Sequence, residues 1–361
     1  MKKQLDLNNK IILVTGSPGF IGANLVIRML KDLKGSMILS LDNMNDYYDP
    51  ALKEYRLDQI RQTELNSFSK HVFVKGSISD ADLLKSLFSE YRFDFVVNLA
   101  AQAGVRYSID HPDDYIESNI IGFHNILEAC RHSYDHGAKG VEHLVYASSS
   151  SVYGGNTKVP FGENDMVDHP VSLYAATKKS NELMAYAYAK LYNIPSTGLR
   201  FFTVYGPAGR PDMFYYSTAK KLAENGTIRV FNYGNMKRDF TYIDDTVEGI
   251  IKVIQGAPER KTGKDGLPIT PHSVYNIGGG QPENLLDFIN VLQEELVRSG
   301  ILKDDYDFGE HYELVGMQPG DVPVTYADST ALEKDYGFVP KTGIRQGLKN
   351  FCEWYKTYYY I

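Results

Sequence analysis

Cysteine is nearly absent from this chain of 361 residues: only Cys130 and Cys352 occur. Two thiols cannot build a disulfide framework, so we expect a reducing, cytoplasmic setting. Long apolar runs are missing too. The first, at 11–14, falls far short of the ~20 residues a membrane helix needs, and residues 1–10 before it are polar. No signal segment or membrane span is expected. Nor is there an excess of positive charge, since 38 Lys and Arg stand against 45 Asp and Glu, a formal net charge of −7. That balance gives neither nucleic acid nor an acidic membrane surface a reason to bind. Internal repeats and low-complexity tracts are absent as well.

What is present is an ordinary globular composition, 43% hydrophobic and 23% charged, in a chain longer than one usual domain. Two closely joined domains are the natural expectation. Apolar runs at 10–15, 37–41, 71–75, 93–98, 143–147 and 196–200 carry no alternation, which suits strands buried on both faces. Between them, helical patterns cover 21–33, 80–91, 113–131 and 173–192. Strands alternating with helices imply an α/β, doubly wound parallel sheet over residues 1–200. After residue 200 the pattern turns irregular and rich in aromatics, Gly and Pro. A smaller C-terminal substrate-binding domain is expected over 201–361, with segments near 241–254 and 274–278 returning to the sheet.

Gly16, Gly19 and Gly22 fall between the first strand and the first helix. Glycines there let the backbone turn tightly and approach a pyrophosphate resting on the helix N-terminus, the Rossmann arrangement. Asp42 lies 20 residues beyond Gly22, at the end of the second strand. A carboxylate at that point accepts hydrogen bonds from ribose hydroxyls and repels a 2′-phosphate, so the expected cofactor is NAD. A glycine-rich turn and a strand-ending aspartate are the bland alternatives.

Tyr174 and Lys178 are four residues apart, on one face of a helix. A tyrosine with its ordinary pKa near 10 is a poor base at neutral pH. A nearby ammonium, together with a cationic nicotinamide ring, favours the phenolate. Ahead of the pair, Ser148, Ser149, Ser150 and Ser151 follow an apolar strand. A solvated helix face and a serine-rich turn would explain each feature alone, but not both beside a dinucleotide fingerprint.

These residues, with Asn-Leu-Ala-Ala at 98–101, resemble the extended short-chain dehydrogenase/reductases that act on nucleotide sugars, over roughly residues 10–355. Five runs are most similar to UDP-glucuronate 4-epimerases: Asn-Leu-Ala-Ala-Gln-Ala-Gly-Val-Arg at 98–106, Ser-Ser-Ser-Ser-Val-Tyr-Gly at 148–154, Phe-Phe-Thr-Val-Tyr-Gly-Pro at 201–207, Gly-Arg-Pro-Asp-Met at 209–213 and Arg-Asp-Phe-Thr-Tyr-Ile-Asp-Asp at 238–245. The resemblance implies a catalytic set of Ser149, Tyr174 and Lys178. It implies cofactor contacts from Phe20, Ile21, Asn43, Ser77, Ile78, Leu99, Ala100, Ala101, Gln102 and Asn119 beside the glycines and Asp42. For a UDP-sugar substrate it implies Arg238, Gln318 and Asp321 along the nucleotide, and Ser149, Ser150, Ser151, Thr203 and Arg210 around a sugar carboxylate. Arg106 is a weaker substrate candidate. No metal is expected. The resemblance also implies a homodimer built on the helices at 113–131 and 173–192.

Chemistry separates the related activities. A 4,6-dehydratase or a uronate decarboxylase resembles this chain but carries carboxylates just before the Val-Tyr-Gly, where this sequence has Ser150 and Ser151. An epimerase needs only one base, a hydride acceptor and room for the sugar to turn. The expected reaction is therefore 4-epimerisation of UDP-glucuronate to UDP-galacturonate through a 4-keto intermediate. Ser77 departs from the family, standing where an adenine-binding aspartate is usual, and Thr325 leaves room for a bulkier sugar. A 4-epimerase of UDP-glucose or UDP-N-acetylhexosamine is the alternative, and a non-catalytic NAD-binding regulator is one of another class.

Overall fold

The first apolar run forms β1 (Ile11–Thr15), followed by β2 (Lys34–Asp42), β3 (Phe68–Lys75), β4 (Phe95–Asn98), β5 (His143–Ser149) and β6 (Ser196–Phe201). A computed structural model describes residues 4–264, 266–317 and 322–359 of the chain. With the strand His272–Ile277 these make one seven-stranded sheet in the order 277-end strand, β6, β5, β4, β1, β2, β3. Every neighbouring pair is parallel. Leu13 packs into the core on one face while Ile12 and Val14 pack into the core on the other, all fully buried. Burial on both faces is why the strands read as unbroken apolar runs.

Helix α1 (Phe20–Asp32) crosses from β1 to β2 and packs against the helix Ile243–Gln255. The helices Ala81–Tyr91, Gly122–His132 and Leu173–Tyr192 supply apolar side chains to the opposite core. The strand order reverses at β1, with β2 on one side and β4 on the other, so the loops beyond β1 and β4 part and open a crevice there. Past β6 the chain builds a three-stranded mixed sheet from Thr203–Tyr205, Lys237–Tyr242 and Pro282–Asn284. Phe240 and Phe288 stack at 4.0 Å within the aromatic core behind it.

Two elements differ from the sequence reading. Helix α2 (Pro50–Glu64) was not anticipated, because its inner face mixes Lys53 and Arg56 with Leu52, Leu57 and Ile60 and so lacks a clean apolar stripe. The helix expected over 113–131 is broken into Pro112–Tyr115, a π-helical turn Ile116–Ile121 and Gly122–His132. No helix among the described residues is long and apolar enough to cross a membrane.

Candidate active site

A cleft of about 780 Å³ opens at the C-terminal ends of the strands. At its floor Thr15 Oγ1 donates to Asn98 Oδ1 (2.7 Å) and accepts from the Ala100 amide (3.1 Å), joining the loops after β1 and β4. Gly16 has φ of +71°, and a Cβ there would lie 2.7 Å from Ala100 N. Only glycine fits that turn. Gly19 caps α1 without any side-chain hydrogen bond, so the first-turn amides face the cleft with no side-chain acceptor of their own. Among the described residues, a glycine cradle, an uncapped helix start and Asp42 at the end of β2 fit a dinucleotide pyrophosphate and its ribose.

Asp42 Oδ1 accepts from the Met44 amide at 2.7 Å and lies 3.6 Å from Lys53 Nζ. Lys53 also donates to Asn45 Oδ1 at 2.7 Å, and burial lowers its pKa against the pull of Asp42. Arg56, 1% exposed, donates to the carbonyls of Pro18, Ala208 and Gly209 at 2.8–3.0 Å. It ties the glycine loop to the loop that leads into Arg210. Sequence reading missed both cations, since their partners are backbone atoms and side chains brought in by the fold.

Ser172 Oγ accepts from the Ala175 amide at 3.1 Å and starts the helix Leu173–Tyr192 at the cleft. Tyr174 therefore stands in the first turn, beside the end of β5, near enough to Ser149 for its hydroxyl to pull the phenol pKa down. Ser149 Oγ in turn accepts from the Ser151 amide at 3.1 Å. Lys178, one turn on and 3% exposed, donates to Ala147 O at 2.9 Å, with Nζ 6.0 Å from the centre of the Tyr174 ring. Burial pushes the Tyr174 phenol up; Ser149 and Arg210 pull it down and Asp212 adds to the rise, leaving it raised. Burial also pushes Lys178 down to about 7. The expected lowering of Tyr174 is therefore not present in the protein alone, because the lysine that should cause it is itself desolvated and turned to a carbonyl.

Gly16, Gly19, Phe20, Ile21, Gly22, Asp42, Asn43, Ser77, Ile78, Leu99, Ala100, Ala101 and Gln102 line the cleft with Tyr174 and Lys178. Ser149, Ser150, Ser151, Thr203, Arg210 and Arg106 line it as well. Asn119 does not. It sits behind the wall, where its side chain accepts from the Gln102 amide (2.8 Å) and donates to Gln102 O (3.0 Å) and Thr177 Oγ1 (3.1 Å). Its part is to clamp the 101–103 backbone from within the π-helical turn, a placement that sequence spacing does not reveal. Arg238 lies outside the lining, its Nη1 donating to the carbonyls of Lys237 (3.0 Å) and Pro323 (3.2 Å). Gln318 and Asp321 lie outside the described residues. Lining residues that the sequence reading missed include Tyr47, Lys53, Asp212, Lys221 and Arg229. Arg210 donates Nε (3.0 Å) and Nη2 (2.6 Å) to the Asp212 carboxylate, and Tyr47 Oη donates to the same carboxylate at 3.1 Å.

Lys178 also makes a stability prediction. Its pKa is lowered in the folded protein, so between about 7 and its ordinary value near 10.5 the unfolded chain binds the extra proton. Stability then rises with pH through that window, and the penalty of burying the ammonium is complete only below it. The ligand-free Lys178→Met variant should exceed the wild-type Tm by roughly 2–5 °C at pH 6.5, with the difference vanishing near pH 10. Thermal scans at the two pH values check this; an equal shift at both would mean packing, not charge, is responsible.

Residues 13–351 match the GDP-mannose 4,6 dehydratase family. The Staphylococcus aureus protein CapI is 46% identical over 354 residues, covering 96% of this chain and 99% of its own length. UDP-glucuronate 4-epimerase 4 of Arabidopsis thaliana is 41% identical over 361 residues, covering 98% and 77%. Among solved structures, the UDP-glucuronic acid 4-epimerase of Bacillus cereus, in complex with UDP-glucuronic acid and NAD, superposes with a TM-score of 0.80 at 30% identity, over 97% of this chain and all of its own. With the glycine cradle, the strand order and the Tyr174/Lys178 helix already in place, the chain belongs to the GDP-mannose 4,6 dehydratase family of extended short-chain dehydrogenase/reductases.

Proposed function

We propose that this enzyme interconverts UDP-glucuronate and UDP-galacturonate by NAD-dependent 4-epimerisation. The observation that carries the reading is the pairing of Ser149, Tyr174 and Lys178 with a sugar end lined by serines, Thr203 and Arg210. Tyr174 Oη accepts the proton of the C4 hydroxyl, while Ser149 holds that oxygen by a hydrogen bond. NAD, when bound, supplies the hydride acceptor for C4 and a positive charge beside Tyr174. The 4-keto sugar then turns in the cleft, and Tyr174 returns its proton to the C4 oxygen once the opposite face is reduced. A 4-keto uronate is a β-keto acid prone to lose carbon dioxide. Arg210 with Ser150, Ser151 and Thr203 opposes that loss by holding the carboxylate in one geometry.

The family's name describes a dehydratase, but the lining supports a different outcome. Among the described residues, Asp42 and Asp212 are the only carboxylates on it. Asp42 stands at the end of β2, and Arg210 holds Asp212 ionised, against the effect of burial. Neither is placed as the extra acid that dehydration requires. Similarity to the epimerases of A. thaliana and B. cereus supports the same reading. The pairing of Arg210 with Asp212 favours one second reading, a neutral sugar such as UDP-glucose, because two of the guanidinium's three nitrogens are already satisfied.

Both cysteines are free and buried, in keeping with a cytoplasmic protein. A homodimer through the paired helices is supported by Ile116, Ile121, Leu183 and Tyr186, which are 42–59% exposed. Light scattering across a dilution series should hold at twice the chain mass. For the activity, purified protein incubated with UDP-glucuronate and no added NAD should yield UDP-galacturonate, resolved by NMR. A UDP-pentose would mean decarboxylation, and conversion of UDP-glucose alone would establish the second reading.

A further inference from the structure

Arg210 and Asp212 belong to one loop, and their side chains meet edge to edge over the sugar end of the cleft. The two hydrogen bonds, 3.0 and 2.6 Å, use Nε and Nη2 of the guanidinium and both carboxylate oxygens. A fork-to-fork pair of this kind fixes the plane of the guanidinium as well as its place. Tyr47 arrives from the segment between β2 and α2, and its phenol donates to Asp212 Oδ2 at 3.1 Å. Tyr47 is itself wedged edge-on against Tyr107, with ring centres 4.8 Å apart. Asp212 is thus held from two sides, and about a third of its side chain remains exposed. Nη1 of Arg210 makes no hydrogen bond to any described residue, which leaves one edge of the cation for a ligand.

We propose that Asp212, fixed by Tyr47, is a positioning residue that orients Arg210 and sets how strongly the cleft favours a carboxylate over a hydroxymethyl group at C6 of the sugar. This rests on the uronate reading above for the identity of the group that Arg210 meets. The physical argument is one of charge and freedom. Asp212 neutralises most of the Arg210 charge, so a substrate carboxylate gains less from Coulomb attraction than a lone arginine would give it. In exchange the guanidinium cannot swing, and the carboxylate it receives is held in one direction through the turnover of the keto sugar. A hydroxymethyl group, uncharged, feels neither effect strongly. The same anion reaches Tyr174, whose phenol Asp212 pushes up and Arg210 pulls down.

The test is Asp212→Asn, which keeps shape and one acceptor while removing the charge, measured on NAD-loaded protein with UDP-glucuronate and UDP-glucose. UDP-glucuronate should bind roughly fivefold more tightly by calorimetry, while the affinity for UDP-glucose stays unchanged. With UDP-glucuronate, KM should fall and kcat should fall with it, as the freed guanidinium loses its aim. The acidic limb of the kcat/KM profile should move to lower pH. Tyr47→Phe, which spares the ion pair and its charge, should lower kcat by less and leave the UDP-glucuronate affinity and the acidic limb where they are. Equal changes in affinity for the two sugars, or none for either, would overturn the proposal and reduce the pair to a loop brace. The calorimetry is run in the Tyr174→Phe background, so binding is read without turnover and the two readings separate. A wild-type protein whose UDP-glucuronate affinity depends on Asp212 but that does not epimerise it would support the positioning role and defeat the uronate-epimerase reading.

Discussion

Tyr174→Phe should lower the rate of UDP-galacturonate formation by at least ~10³-fold, within the 10²–10⁴ range that a positioned acid–base group supplies, while leaving the fold and ligand binding intact. The ring packs edge-on against Tyr115 with centres 6.0 Å apart, and phenylalanine keeps that contact. The helix start is set by Ser172, not by the phenol. What disappears is the phenol oxygen, which on the proposed mechanism takes the C4 proton. Because burial leaves the phenol raised in the protein alone, its basicity has to be drawn out by charge brought into the cleft. The wild-type rate should therefore fall on the acid side of the profile, where the phenol stays protonated. A variant whose Tm and UDP affinity match wild type but whose rate drops less than tenfold would remove Tyr174 from the base role. Parallel loss of binding and rate would make it a packing residue instead.

How much of this could be read beforehand depends on how far apart the partners are in the chain. Tyr174 and Lys178 were visible because one helical turn sets them on one face. The β1 and β5 strands were visible because burial on both sides removes any polar alternation. Gly16 was visible because its turn demands glycine. Helix α2 was hidden, since Lys53 and Arg56 point inward to Asp42, Asn45 and the carbonyls of Pro18, Ala208 and Gly209, which interrupts the apolar period. The contact of Tyr47 with Asp212 spans 165 residues, and nothing local in either segment announces it. Asn119, expected at the cofactor, lies behind the cleft lining with its side chain hydrogen-bonded to the Gln102 backbone, a placement that only the crossing of two segments reveals.

The second large effect concerns stability behind Ser149. Glu182 and Arg200 pair through bonds of 2.8 and 2.9 Å with side chains only 4% and 3% exposed. Ser148 Oγ donates to the same carboxylate at 2.7 Å, and Arg200 Nη1 donates to Tyr153 Oη at 3.0 Å. Burial alone would raise Glu182, but the guanidinium and Ser148 hold it below its usual range. Arg200→Met removes the guanidinium and leaves the buried carboxylate only Ser148 and the longer contact with Lys179 Nζ at 3.4 Å, which should destabilise the fold by about 3 kcal/mol at neutral pH. The sign of its pH dependence follows. In wild type the pair's contribution is lost as pH falls through the lowered pKa of Glu182. In the variant the carboxyl has its pKa raised instead, so its penalty grows as pH rises above the unfolded value, and the loss should be smallest near pH 5. Adding Glu182→Gln keeps an acceptor for Ser148 without a charge, so the double variant should recover most of the stability. Urea unfolding of the single and double variants decides the matter. If Arg200→Met costs no more at pH 8 than at pH 5, the damage comes from lost packing against Tyr153 and not from a stranded charge. If the double variant is no more stable than the single one, the ion pair is not what holds the end of β5 in register with the helix that carries Tyr174.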